Sequence, residues 1–300
     1  MLTGIKVAFV GGDARIIEVI RYMIDKDATV ALIGFDEIVK QFQGVDHIKA
    51  VTPESFADAD VVVLPVAGTD ERGVIEANYS PHPIVLTDEH FAAMPKHCKI
   101  VTGIARKYLE DACEKYQLSL IKLMELDEVA ILNSIPTAEG AIQLAIQHTD
   151  ITIHGSNSIV LGFGRCGITL SRMLAALGSH VKVGARKPAD LARIQEMNLE
   201  AFGVGDLALH IGEADMIFNT IPALILNADM LSRMPRSCVV IDIASKPGGT
   251  DFRFAERRGI KAILAPSLPG IVAPKTAGQI IAKTLGRLLR KQESSWGNEA

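Results

Sequence analysis

Three glycines, Gly162, Gly164 and Gly167, stand in the pattern GxGxxG directly after the apolar run Ile159-Val160-Leu161. At that spacing the first glycine lets a strand turn tightly, the second lets a pyrophosphate approach the backbone, and the third lets the next helix pack closely on its sheet. The helix also offers free amides and the positive end of its dipole to phosphate. Ile168, Leu170, Met173, Leu174 and Leu177 supply helical periodicity after the turn, and Gly178 supplies a stop. The chemistry implied is dinucleotide binding, with Arg165 and Cys166 in the same turn.

The strand that follows ends Val183-Gly184-Ala185-Arg186-Lys187, without the Asp or Glu that holds a ribose 2′-hydroxyl in NAD sites. Arg186 can meet a 2′-phosphate with a planar, charge-assisted contact and Lys187 adds a second cation, a pattern that favours NADP. Three later strand ends are expected to line the cofactor: Thr220, Ile221 and Pro222; Asp242 and Ser245; and Ser267, Leu268 and Gly270. The last of these is expected to be an irregular loop bordering the nicotinamide ring.

Candidates for proton transfer are Asp13, Asp242 and Lys275, and spacing does not choose among them. Gly11-Gly12-Asp13-Ala14-Arg15 follows the first strand but lacks GxGxxG, so a second dinucleotide site is not expected. Arg15 and Arg106 follow strand ends, where they could hold a small anionic substrate in a cleft between two lobes or be consumed in ion pairs. Thr69, Ser134 and Thr137 complete the expected substrate-binding set. There is no HExxH and no histidine pair at metal-ligand spacing, so no metal is expected. The residues after the strand at 239–243 read Ala-Ser-Lys-Pro, without the arginine of 2-hydroxyacid dehydrogenases, which disfavours that family.

The elements that must position these residues alternate strand and helix almost throughout, the sign of an α/β protein with parallel sheets. Strands are expected at 6–10, 29–34, 61–65, 84–86, 99–102 and 118–122 in the first half. The second half repeats the layout at 158–161, 180–185, 216–219, 239–243 and 261–264. Two layouts in series predict two doubly wound, Rossmann-like domains flanking a cleft. The expected boundaries are 1–135 for a substrate domain, a linker helix opened by Pro136 over 136–150, and 151–285 for the cofactor domain. The expected C-terminal part is a helix end and frayed tail at 286–300. A helix at 276–290 is expected to fold back onto the first domain.

A net charge of −4 gives no basic field for nucleic acid or an anionic membrane. The apolar runs are strand-length and no export signal is read, so the expectation is a cytoplasmic protein without a membrane span. The four cysteines lack CxxC spacing and are expected as reduced, buried or half-buried thiols.

Four segments carry a resemblance: VGGDAR at 10–15, NSIPTAEGA at 133–141, LGFGRCG at 161–167 and SLPGIVAPKTAG at 267–278. Together, in order and across essentially the whole chain, they resemble the A subunits of dipicolinate synthase of spore-forming bacteria. The resemblance implies NADP-dependent aromatisation of dihydrodipicolinate to dipicolinate during sporulation, in company with a flavoprotein-like B subunit. A homo-oligomer is also expected. The residues leave two alternatives open: a scaffold that holds NADP while its partner does the chemistry, and a dehydrogenase of another small carboxylic or amino acid.

Overall fold

A computed structural model describes residues 1–290; the expected tail at 291–300 lies outside them. The chain divides into two compact units, one of Met1–Ala130 together with the chain from Pro274 onward, the other of Ile131–Ala273.

The first unit holds β1 (Lys6–Val10), β2 (Thr29–Ile33), β3 (Val45–Ile48), β4 (Val61–Val63), β5 (Val74–Ile75), β6 (Ile84–Val85), β7 (Lys99–Thr102) and β8 (Ser119–Lys122). Its main sheet is wholly parallel in the order β3-β2-β1-β4-β7-β8. Helices α1 (Ala14–Asp25), α2 (Asp88–Ala93) and α3 (Lys107–Tyr116) follow β1, β6 and β7. The second unit holds β9 (Asn157–Leu161), β10 (His180–Ala185), β11 (Glu200–Gly203), β12 (Met216–Asn219), β13 (Val239–Asp242) and β14 (Lys261–Leu264), also parallel, in the order β11-β10-β9-β12-β13-β14. Helices α4 (Asp127–His148), α5 (Arg165–Ala176), α6 (Pro188–Glu196), α7 (Leu207–His210), α8 (Ala228–Arg233), α9 (Phe252–Arg258) and α10 (Leu268–Val272) accompany it, and α11 (Pro274–Arg290) returns to the first unit.

Both strand orders are that of the doubly wound dinucleotide fold, in which the order reverses beside the first strand and a crevice opens there. Each sheet is covered on both faces by apolar clusters, as a buried parallel sheet requires. This explains the near-continuous Val, Ile and Leu in β4, β9 and β13.

Several departures from expectation have physical causes. Strands β3 and β11 are edge strands, half exposed and partly polar (VDHI and EAFG), so no apolar run announced them. The strand expected at 84–86 does not join the main sheet; it pairs antiparallel with β5 in a separate two-stranded ribbon. Pro136 does not open a helix but lies inside α4, which starts nine residues earlier with Asp127 and Glu128 in its first turn, where acids favour the dipole. Proline there removes one helix hydrogen bond.

The units also divide elsewhere than at the expected boundaries. Residues 131–150 belong with the cofactor-type sheet through Ala138, Ala141 and Ala145, which lie in its core. As expected of the helix at 276–290, α11 belongs with the first unit, burying Ile281, Ala282 and Leu285 against α1 and β1. At Gly278 the two helices approach so closely that a Cβ would meet the Arg15 carbonyl and lie 2.9 Å from the Glu18 Cβ.

Candidate functional site

The glycine turn leaves β9 at Gly162, whose φ of +97° is open to glycine and strained for other residues. A Cβ on Gly162 would collide with Thr220 Oγ1, and one on Gly167 would collide with the Gly162 carbonyl. A Cβ on Gly164 would meet nothing within 4 Å among the described residues. The first and third glycines are thus required by the protein's own packing, and the second faces free space. Gly164 is also the N-cap of α5 and makes no side-chain cap, so amides of the first turn are left for a ligand.

That turn opens into a cleft of about 360 Å³ at the strand ends of the second unit. Its walls include the expected residues Gly162, Gly164, Arg186, Lys187, Thr220, Ile221 and Pro222. Arg186 and Lys187 are exposed and make no ion pair among the described residues. The Thr220 hydroxyl donates to the Leu161 carbonyl at 2.9 Å, which braces the turn from the far wall of the cleft. Phe163, Asp190 and Val204 line the cleft too and were not anticipated. Asp190 could have been found from its place in the first turn of α6, whose N-cap is Lys187. These features fit the diphosphate and ribose of a nicotinamide dinucleotide: unfilled space over Gly164, open amides and cations without an ion pair among the described residues.

Other expected cofactor residues are not in this lining. Arg165 and Cys166 occupy the first turn of α5, the former exposed and the latter half-buried. Burial pushes the Cys166 thiol up from its ordinary value, with Arg165 opposing. Ser245 is exposed on the loop after β13. The expected irregular loop at 267–275 is instead helical: Ser267, left-handed at φ +61°, precedes α10, and Leu268 is buried.

Asp242 is corrected from catalyst and cofactor ligand to structural anchor. It is wholly buried. Oδ1 accepts from Asn219 Nδ2 (3.0 Å) and Ala244 N (3.1 Å), and Oδ2 from Gly249 N (2.8 Å) and Thr250 Oγ1 (2.7 Å). Four donors and no solvent leave it no lone pair for a substrate proton. Ser134 and Thr137 are likewise corrected from substrate binding. Ser134 is buried, donating to the Ile131 carbonyl and bonded to Thr169 Oγ1 at 2.6 Å, while Thr137 Oγ1 donates back to Asn133 O at 2.8 Å. The Ser134 hydroxyl links α4 to α5, and the Thr137 hydroxyl bonds back one turn within α4.

In the first unit the corresponding turn is already filled. Gly12 N donates to Glu76 O (2.9 Å), Asn78 N donates to Gly12 O, and a Cβ on Gly11 would lie 2.6 Å from that Glu76 oxygen. The segment after β5 thus occupies the space a pyrophosphate would need. Asp13 caps α1 by accepting from Arg15 N at 2.9 Å, and Arg15 Nε donates to Asp13 Oδ2 at 2.9 Å with Nη2 beside it. Beside this pair, together with Pro65, Val66 and Thr102, is a cavity of about 10 Å³, room for one water. Arg106, exposed at the start of α3, donates from Nη1 to the Thr69 carbonyl at 3.1 Å, which brings these two expected residues together. The Thr69 hydroxyl is buried without a hydrogen-bond partner among the described residues. Lys275 is exposed in the first turn of α11 and makes no ion pair among the described residues.

Comparison with known proteins agrees with this architecture. Residues 6–124 match the model of the N-terminal domain of the dipicolinate synthase A subunit. The A subunit of dipicolinate synthase of Bacillus subtilis (strain 168) is 49% identical over 271 residues, covering 90% of this chain and 91% of that protein. The crystal structure of the dipicolinate synthase A subunit from Bacillus halodurans superposes with a TM-score of 0.93 at 50% identity, over 96% of this chain and 99% of that one. A transhydrogenase from Sinorhizobium meliloti shares the fold, with a TM-score of 0.67 at 15% identity over 95% of this chain and 94% of that one. On identity sustained over nine-tenths of its length, this chain belongs to the family of dipicolinate synthase A subunits.

Proposed function

We propose that the chain binds NADP at the glycine turn of its second unit and oxidises dihydrodipicolinate to dipicolinate together with a B subunit. The observation that carries this reading is the cleft itself: open space over Gly164 beside the exposed Arg186 and Lys187. Aromatising a dihydropyridine removes one hydride and one proton, and bound NADP supplies the hydride acceptor. The amides at the start of α5 hold the diphosphate, and Arg186 with Lys187 selects the 2′-phosphate. Arg106, tethered through one nitrogen to the Thr69 carbonyl, keeps other donors for a substrate carboxylate.

Calorimetric titration of the purified chain tests the cofactor: NADP should bind at least tenfold more tightly than NAD, and Arg186→Glu should abolish that preference. Equal affinity for both would refute the phosphate reading. Absorbance at the nicotinamide band, followed with dihydrodipicolinate and with or without the B subunit, tests the reaction. Dipicolinate formed at an unchanged rate without NADP would remove the hydride role.

A second reading makes the chain a cofactor-holding subunit whose partner does the chemistry. It is favoured by one observation: Asp13 is paired with Arg15, and Asp242 is fully hydrogen-bonded. Under it, Gly164→Val would impair both turnover and assembly with the B subunit; under the first reading turnover is lost with assembly intact.

A further inference from the structure

Asp242 is a buried charge that the chemistry proposed above leaves unused. It stands at the carboxyl end of β13 and is wholly buried. Three N–H groups, from Asn219 Nδ2, Ala244 and Gly249, and the Thr250 hydroxyl converge on its two oxygens. Those are the surroundings of an ionised carboxylate, which accepts on both oxygens and donates from neither. All four partners are neutral, and Asp242 forms no ion pair among the described residues. The loop after β13 seals it in: a Cβ on Gly248 would lie 3.1 Å from Oδ2, and one on Gly249 would lie 2.5 Å from Asn219 Nδ2. A charge placed in this way is little screened by solvent, and its field reaches further than that of a surface group.

The carboxylate stands behind one wall of the cofactor cleft. Asn219 Nδ2 bridges Asp242 Oδ1 and the Ile221 carbonyl, 3.0 Å from each, and Asn219 Oδ1 accepts from Ile221 N at 3.1 Å. Ile221 lines the cleft with Thr220 and Pro222. This wall follows β12, on one side of β9, whereas Arg186 and Lys187 follow β10 on the other side. A doubly wound sheet binds a dinucleotide across the reversal of strand order, with one mononucleotide half on each side. With the 2′-phosphate end over β10, the nicotinamide end falls over β12 and β13, the side that holds Asp242.

On the NADP reading proposed above, we infer that Asp242 sets the redox preference of the site, its buried charge favouring the oxidised cofactor over the reduced one. The oxidised nicotinamide ring carries one positive charge and the reduced ring none, so a nearby anion attracts the first and not the second. Enclosed and saturated with donors, the carboxylate acts through its field and touches neither cofactor nor substrate. Arg186 and Lys187 do not discriminate in this way, because the 2′-phosphate is the same in both forms. A site biased toward the oxidised ring loads the hydride acceptor and loosens its hold once the hydride has arrived.

Calorimetric titration of the full chain with NADP⁺, NADPH and 2′-phospho-ADP-ribose, which lacks the nicotinamide, tests this. The wild type should bind NADP⁺ about threefold or more tighter than NADPH. Asp242→Asn, of the same shape but uncharged, should lose that preference while keeping its affinity for 2′-phospho-ADP-ribose within about twofold. Thr250→Val removes one donor and keeps the charge, so the preference should persist; its loss there would assign the effect to bracing and overturn the inference. An Asp242→Asn protein with the wild-type ratio also overturns it, as does a wild type that binds NADPH the more tightly, and both leave the NADP reading standing. If Asp242→Asn does not fold, the wild-type ratio and Thr250→Val decide. A wild type that binds none of these nucleotides refutes the NADP reading and the inference with it.

Discussion

At the residue scale, the three glycines of one fingerprint answer to different forces. Gly162 and Gly167 are held by contacts inside the protein, whereas Gly164 meets nothing. Gly164→Val is therefore expected to leave the melting temperature nearly unchanged while abolishing nucleotide binding. Gly167→Val, driven against the Gly162 backbone, should cost about 1–3 kcal/mol, or several degrees in melting temperature. Thermal denaturation and calorimetric titration of the two variants separate the effects, and a Gly164→Val protein that still binds NADP would place the ligand elsewhere. The glycines were legible because their spacing is itself the chemistry. Asp242 was not: an acid at a strand end looks the same in sequence whether it awaits a ligand or is saturated by Asn219, Ala244, Gly249 and Thr250.

At the scale of elements, the contact of α1 with α11 sets two tendencies against each other at Gly278. Alanine would raise helix propensity by about 1 kcal/mol. Its Cβ would also be forced against the Arg15 carbonyl, which is backbone and cannot yield as a flexible side chain does. Overpacking of this kind costs about 1–3 kcal/mol, so the net effect of Gly278→Ala is expected to be destabilising. Urea titration reads the sign directly; a stabilised variant would mean that the helices separate easily. Central strands such as β1, β7, β10 and β12 were readable as apolar runs with their bounds, while the edge strands β3 and β11 carry too few buried side chains to signal themselves. The start of α4 was misplaced because proline usually begins a helix, and here packing of the flanking turns outweighs its missing hydrogen bond.

Across the whole molecule, the buried thiols tie stability to alkaline pH. Burial pushes Cys98 up to about 12 and Cys113 up to about 11 from an ordinary value of 9.0. Cys238 is raised as well. A raised folded value means that the unfolded chain releases protons first as pH climbs. Stability is therefore complete below pH 9 and falls progressively as pH rises toward the folded values. Urea midpoints should drop between pH 8 and pH 10.5, and the Cys98→Ala/Cys113→Ala variant should show a shallower drop. An identical slope in that variant would assign the alkaline loss to other groups.

The amino-acid sequence by itself determined the α/β class, the two successive doubly wound layouts, the position of the glycine turn and the family. Each of these is written in local spacing: apolar runs for buried strands, GxGxxG for the turn, and four ordered motifs for kinship. Tertiary structure alone decided which polar residues remain available. Asp13 and Arg15 neutralise each other, the hydroxyls of Ser134 and Thr137 are spent on helix contacts, and Glu76 fills the turn of the first unit. Arg186 and Lys187 stay exposed beside the open space at Gly164. Availability depends on partners distant in the chain, brought close only by folding, and no reading of spacing contains them.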